Sequence, residues 1–116
     1  MNIKSEKRVC DCNLQTQRLS LPNGEELQRI SKLYKVLGEK KRLQIVFALS
    51  NKSMCVHELI KLLGVEQSLV SHQLKILRDI KIVKTERRKN EIVYSLNDHH
   101  IVELLTIAKE HVLEEL

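Results

Sequence analysis

Apolar residues recur at three- and four-residue steps from Leu27 onward, through Ile30, Leu33, Tyr34 and Leu37. That spacing places them on one face of a helix. The turn signal Pro22-Asn23-Gly24 precedes the segment and Gly38 follows it, so a first helix is expected from Glu25 with Gly38 as its C-cap. Leu43, Val46, Phe47 and Leu49 mark the inner face of a second helix, whose start carries Lys40, Lys41 and Arg42; Ser50 to Ser53 form the next connection. Two shorter amphipathic helices then meet at a tight turn. The first holds Val56, Leu59, Ile60 and Leu63 inside and stops at Gly64. The second begins near Glu66 or Gln67, with Leu69, Val70, Leu74 and Leu77 inside. A short helix, a glycine-containing turn and a longer helix with a polar face make up the helix-turn-helix pattern.

After Asp79 the period shortens to two. Ile82-Val83-Lys84-Thr85 and Glu91-Ile92-Val93-Tyr94-Ser95-Leu96 read as strands around the charged tip Arg87-Arg88-Lys89-Asn90, which is a β-hairpin or wing. Asn97 or Asp98 caps a final helix whose Ile101, Leu104, Leu105, Ala108, Val112 and Leu116 form an apolar stripe. Such a stripe needs something to pack on, and a second copy of the chain is the simplest candidate. The expected fold is therefore mainly α with a small β-hairpin (α+β), a homodimeric winged helix-turn-helix. Residues 1–24, polar and mixed in charge, are expected to form a flexible N-terminal arm carrying Cys10 and Cys12, and residues 25–116 a single DNA-binding and dimerisation domain.

A chain of 116 residues is one domain with a modest core, which dimerisation would help to stabilise. Hydrophobic content of 42% and charged content of 30% are ordinary for a folded domain. Aromatic residues are few (Tyr34, Phe47 and Tyr94), which argues against base-stacking platforms and aromatic cofactor clamps. A net charge of +5 favours a polyanionic partner. No segment approaches the length of a membrane span, and Met1 to Arg8 lack the apolar region of a signal peptide. A cytoplasmic location without a membrane partner is expected. The three cysteines should then be reduced and available for metal or redox chemistry.

The outer face of the second short helix is expected to present Gln67, Ser68, Ser71, His72, Gln73 and Lys75. Glutamine can pair bidentately with the adenine edge, while serine and histidine reach base edges or phosphate oxygens. Few acids interrupt this face. The wing sets Lys81, Lys84, Arg87, Arg88 and Lys89 against Glu86 and Glu91, a positive excess suited to flanking phosphates. A basic hairpin alone reads as solvated surface. Directly after a helix-turn-helix, it points to winged-helix binding of double-stranded operator DNA.

Asp98, His100, His111 and Glu114 all bear ligand-type side chains, yet one ion in one molecule could not reach all four. A helix rises 1.5 Å per residue, so His100 and His111 lie roughly 16 Å apart along the axis. Eleven residues are close to three turns, which points both imidazoles from nearly the same face. His111 and Glu114 are neighbours at i and i+3, and Asp98 and His100 flank the helix start. Two antiparallel copies of this helix would bring Asp98 and His100 of one beside His111 and Glu114 of the other. Two-fold symmetry would make two such sites. An N/O set of this kind suits tetrahedral zinc.

The stretch from Gln67 to Leu77, the later Val93-Tyr94-Ser95-Leu96, and Asp98-x-His100 with His111 and Glu114 together resemble the ArsR/SmtB family of metal-sensing repressors, over roughly residues 25–116. The resemblance implies a homodimeric repressor that leaves its operator when metal binds. It assigns the family's terminal-helix metal site to Asp98, His100, His111 and Glu114, shared across the dimer. In many relatives a Cys-Val-Cys or Cys-x-x-Asp at the first helix of the helix-turn-helix joins arm cysteines in a thiolate-rich site. Here Cys55-Val56-His57-Glu58 opens that helix, with His57 in place of the second cysteine, and Cys10-Asp11-Cys12 lies in the arm. Cys10, Cys12, Cys55 and His57 would still bind zinc and would retain cadmium or lead. Residues i and i+2 do not share a face of a regular helix, so Cys55 joins His57 only where the helix frays and Glu58 otherwise. His99 is expected to be exposed.

The function expected is a metal-responsive transcriptional repressor, released from DNA by zinc or by a soft ion such as cadmium or lead. The alternative is a thiol-redox or persulfide switch using Cys10 or Cys12 with Cys55, for which the imidazole-carboxylate quartet would be unnecessary. An enzyme is rejected. Four protein ligands close the tetrahedron around an ion, and the chain has neither a nucleophile-base-orienter set nor a phosphate-binding glycine loop for a small-molecule substrate.

Overall fold

The computed structural model describes residues 19–114. In chain order the elements are α1 (Gly24–Leu37), α2 (Lys40–Leu49), β1 (Met54–Cys55), α3 (Val56–Leu63), α4 (Gln67–Asp79), β2 (Val83–Arg88), β3 (Glu91–Leu96) and α5 (His99–Glu114). A capping box starts α1: Asn23 Oδ1 accepts the Glu26 N–H at 2.8 Å, and Glu26 Oε1 accepts the Asn23 N–H at 3.0 Å. Gly38 ends it as expected, but in a right-handed conformation at φ −76°. Close approach explains the glycine there, since an added Cβ would lie 3.2 Å from the Tyr34 carbonyl oxygen. Gly64 does use the left-handed region, at φ +68°, and its N–H donates to the Ile60 carbonyl at 2.8 Å to finish α3. Val65 and Glu66 complete the turn into α4.

The core lies where α2, α3 and α4 meet the sheet, around the fully buried Val46, Leu59, Val70, Leu74, Leu77 and Ile82. Leu43 and Phe47, expected inside, are only partly buried; Ile45 and Ala48 take that inner face with Val46 and Leu49. The two end helices hold the core by one end each, α1 through Val36 and Leu37 and α5 through Ile101 and Leu105.

The wing is antiparallel and in register from Val83 opposite Leu96 to Arg88 opposite Glu91. Arg87 and Arg88 therefore belong to β2 rather than to the tip. Lys89 and Asn90 alone make the turn, Lys89 with the positive φ (+56°) that primed hairpin turns demand. A strand the periodicity did not reveal, β1, pairs Met54 with Tyr94 and Cys55 with Val93, giving the order β1-β3-β2. Cys55 consequently closes a strand and caps α3; it does not open the helix. Among the described residues no helix is long and apolar enough to cross a membrane.

Candidate functional site

The polar face of α4 exposes Gln67, Ser68, Ser71, His72 and Lys75, while Val70, Leu74 and Leu77 fasten the opposite face to the core. Lys75 Nζ stands 3.4 Å from the Asp79 carboxylate one turn on, an exposed pair. Gln73 corrects the expectation. It is 7% exposed and does not present on the outer face. At the edge of the apolar stripe, three residues after Val70, it turns toward α2, where its Oε1 accepts from Arg42 Nη1 at 3.0 Å. Arg42 Nε donates in turn to the Val36 carbonyl of α1 at 2.8 Å. The periodicity gave no sign of this bracket beyond an arginine near the start of α2.

The wing places Arg87, Arg88 and Lys89 in solvent at the turn end of the hairpin. Arg88 Nη2 lies 3.2 Å from Glu86 Oε1, so part of the wing's positive charge is met locally.

At the start of α5, Asp98 is the cap: its Oδ1 accepts the His100 backbone N–H at 3.0 Å and lies 3.5 Å from His100 Nδ1. Desolvation works to raise the Asp98 carboxyl. The Ile101 and His100 backbone N–H groups, followed by the neighbouring His100 and Asn97 side chains, outweigh it and hold the carboxyl below its ordinary value. His99 is exposed as expected, its ring 4.4 Å from that of His100. His111 and Glu114 sit exposed near the far end of the same 16-residue helix. The four residues thus form two accessible imidazole-carboxylate pairs at opposite ends. Within one protomer, no three His, Cys, Asp or Glu side chains among the described residues come together to hold a metal. Each pair has the donor chemistry for a zinc ion, and a closed four-ligand set needs a second copy.

At the cysteine site, Cys55 is 8% exposed and its backbone is extended, so the spacing limit of a regular helix does not govern it. Glu58 Oε1 accepts the Cys55 N–H at 3.0 Å, and Glu58 Oε2 lies 3.5 Å from Lys52 Nζ. That backbone N–H first, then Lys52, holds the Glu58 carboxyl below its ordinary value against desolvation. The alternative partner of Cys55 is thus already engaged in capping α3. His57 is exposed. Cys10, Cys12 and Leu116 lie outside the described residues.

The sequence pattern of the family described as bacterial regulatory protein, arsR family, matches residues 39–85, from the cap of α2 into the wing. The HTH-type transcriptional repressor SmtB of Mycobacterium tuberculosis is 38% identical over 94 residues, covering 81% of this chain and 70% of that protein. The HTH-type transcriptional regulator NmtR of the same bacterium is 39% identical over 89 residues, covering 77% and 74%. Among solved structures, the antimony-specific transcriptional repressor AntR superposes with a TM-score of 0.74 at 28% identity, over 92% of this chain and 97% of that one.

Proposed function

The chain belongs to the ArsR/SmtB family of winged helix-turn-helix transcriptional regulators rather than to any enzyme family, and we propose that it is a homodimeric repressor that zinc removes from operator DNA. The observation that carries the reading is the division of Asp98, His100, His111 and Glu114 into two exposed pairs at opposite ends of α5. Asp98 and His100 of one protomer, with His111 and Glu114 of the partner subunit, would hold the ion. Once bound, it supplies a fixed crosslink between the two α5 helices.

The residues of this chain do the rest. Gln67, Ser68, Ser71, His72 and Lys75 on α4 face the bases and backbone of the major groove. Arg87, Arg88 and Lys89 reach flanking phosphates, and their positive excess makes approach salt-dependent. Metal drives release only by binding the DNA-incompetent dimer more tightly than the competent one. Fixing α5 fixes the angle between protomers, and with it the spacing of the two α4 helices. Ligation requires neutral imidazoles, so acid weakens the metal response. The residues ahead of the α1 cap act as the arm, and the chain from Asn23 onward as the working domain, in the cytoplasm. Cys10, Cys12, Cys55 and His57 form a second site, suited to cadmium or lead. A thiol switch has less behind it, because Cys55 is buried and the α5 pairs would have no role in it.

The test is a DNA-binding titration against zinc, cadmium and lead with ligand variants. His111→Ala should leave metal-free DNA affinity nearly unchanged and abolish release by zinc. Replacing Cys10 and Cys12 should blunt the cadmium response and spare zinc. If His111→Ala is still released by zinc while the cysteine variant is not, the roles of the two sites are reversed.

A further inference from the structure

Gln73 is the buried polar residue of the described core, placed in the middle of the helix that carries the base-facing side chains. The side-chain amide could pair with an adenine edge only by leaving Arg42, and that would strand the part-buried Arg42 Nη1 donor. Arg42 is tightly held. Its backbone N–H donates to Glu39 Oε1 at 3.0 Å, Nε to the Val36 carbonyl at 2.8 Å, and Nη1 to Gln73 Oε1 at 3.0 Å. A guanidinium is planar with donors in a fixed fork, so its acceptors are held at set directions relative to one another. The acceptors here belong to the last turn of α1 and the second turn of α4. The remaining anchors of α4, Val70, Leu74 and Leu77, are apolar contacts, which bury area without fixing direction.

Building on the DNA-binding reading above, we propose that Arg42 is a positioning residue that ties Gln73 to the Val36 carbonyl, so fixing the angle of the recognition helix to α1 and hence the half-site spacing the dimer reads. α1 is also where Leu27, Ile30 and Tyr34 remain exposed, so a bracket from α1 to α4 carries the geometry of that face to the DNA face. Neither Arg42 nor Gln73 touches DNA. Two-fold dimers on DNA need their half-sites at a set separation, and any looseness between recognition helix and dimer axis relaxes that requirement.

The experiment uses the full chain and a duplex with an inverted repeat, selected by the wild type from a random-sequence pool, together with versions whose half-sites are moved by one or two base pairs. Arg42→Met and Gln73→Leu should each weaken binding to the selected duplex by roughly tenfold or more. The salt slope should stay unchanged, since no phosphate contact is lost. Both variants should discriminate less between spacings, and the double variant should be little worse than either single one, because the two residues act as one bracket. Gln73→Glu, which keeps the acceptor, should retain the wild-type spacing preference. If Arg42→Met does not fold, Arg42→Lys keeps the charge without the fork and should show the same relaxed spacing.

A change in base preference at one position of each half-site in Gln73→Leu, absent from the Arg42 variants, would overturn the inference by making Gln73 a base reader. Variants that match the wild type in affinity and spacing preference would overturn it too, leaving the DNA reading intact. A wild type that selects no duplex overturns both.

Discussion

Asp98 Oδ1 holds the first turn of α5 by accepting the His100 N–H at 3.0 Å, while the same carboxylate is a candidate metal ligand. Its pKa is lowered in the folded state, so its stabilisation is fully present above the unfolded aspartate value and fades as pH falls through the lower folded one. Asp98→Ala should therefore melt below the wild type near neutral pH, with the gap closing well under the carboxylate range. Asp98→Asn keeps an oxygen acceptor for the cap and loses the anionic donor. It should retain most of the melting temperature while weakening zinc binding in a calorimetric titration. Equal destabilisation by both substitutions would mean that charge, and not the cap bond, holds the helix start. The cap was legible in the sequence because an acid before an apolar period is a local signal. The inward turn of Gln73 was not. Position 73 falls at the border of the stripe set by Val70, Leu74 and Leu77, and only Arg42 on another helix decides which side it joins.

Among the elements, the wing shows how register alters an electrostatic reading. Four residues, three of them charged, were read as a tip, but the pairing of Arg88 with Glu91 shortens the turn to Lys89 and Asn90 and puts both arginines on a strand. Adjacent strand residues point to opposite faces, so Arg87 and Arg88 cannot serve the same phosphate. Arg88 has Glu86 at 3.2 Å, and Arg87 is expected to contribute more to DNA contact. Arg87→Ala should weaken binding about equally across sequences and lower the salt slope by about one. Arg88→Ala should lower it by less. Equal slopes for Arg87→Ala and the wild type would take that side chain off the phosphates. The helices and hairpin were readable because each spans several periods of apolar residues. Strand β1 was not, since two residues make no period and their conformation depends on the open edge of β3.

Across the whole molecule, the same apolar periodicity has two fates. In α4 it is buried within the protomer. In α1 and α5 it is largely left outside, with Tyr34 57% and Ile107 64% exposed and Leu27, Ile30, Val112 and Leu113 exposed as well. Both end helices are anchored at one end only, α1 through Val36 and Leu37 and α5 through Ile101 and Leu105. The α5 stripe was read as seeking a partner while the α1 stripe was read only as one face of a helix, since a period defines a face without saying what covers it. A second copy covering both would also bring the two ligand pairs of α5 within reach of each other, so assembly and metal binding should fail together. Tyr34→Asp and Ile107→Asp should each shift the protein toward monomer in sedimentation at micromolar concentration. The helical circular dichroism of the core should persist, because neither side chain enters it. Zinc affinity should fall in step with the dimer fraction, although no ligand has been touched. A monomeric wild type, or a monomeric variant that still binds zinc as tightly as the wild type, would break the link between the α5 pairs and the dimer.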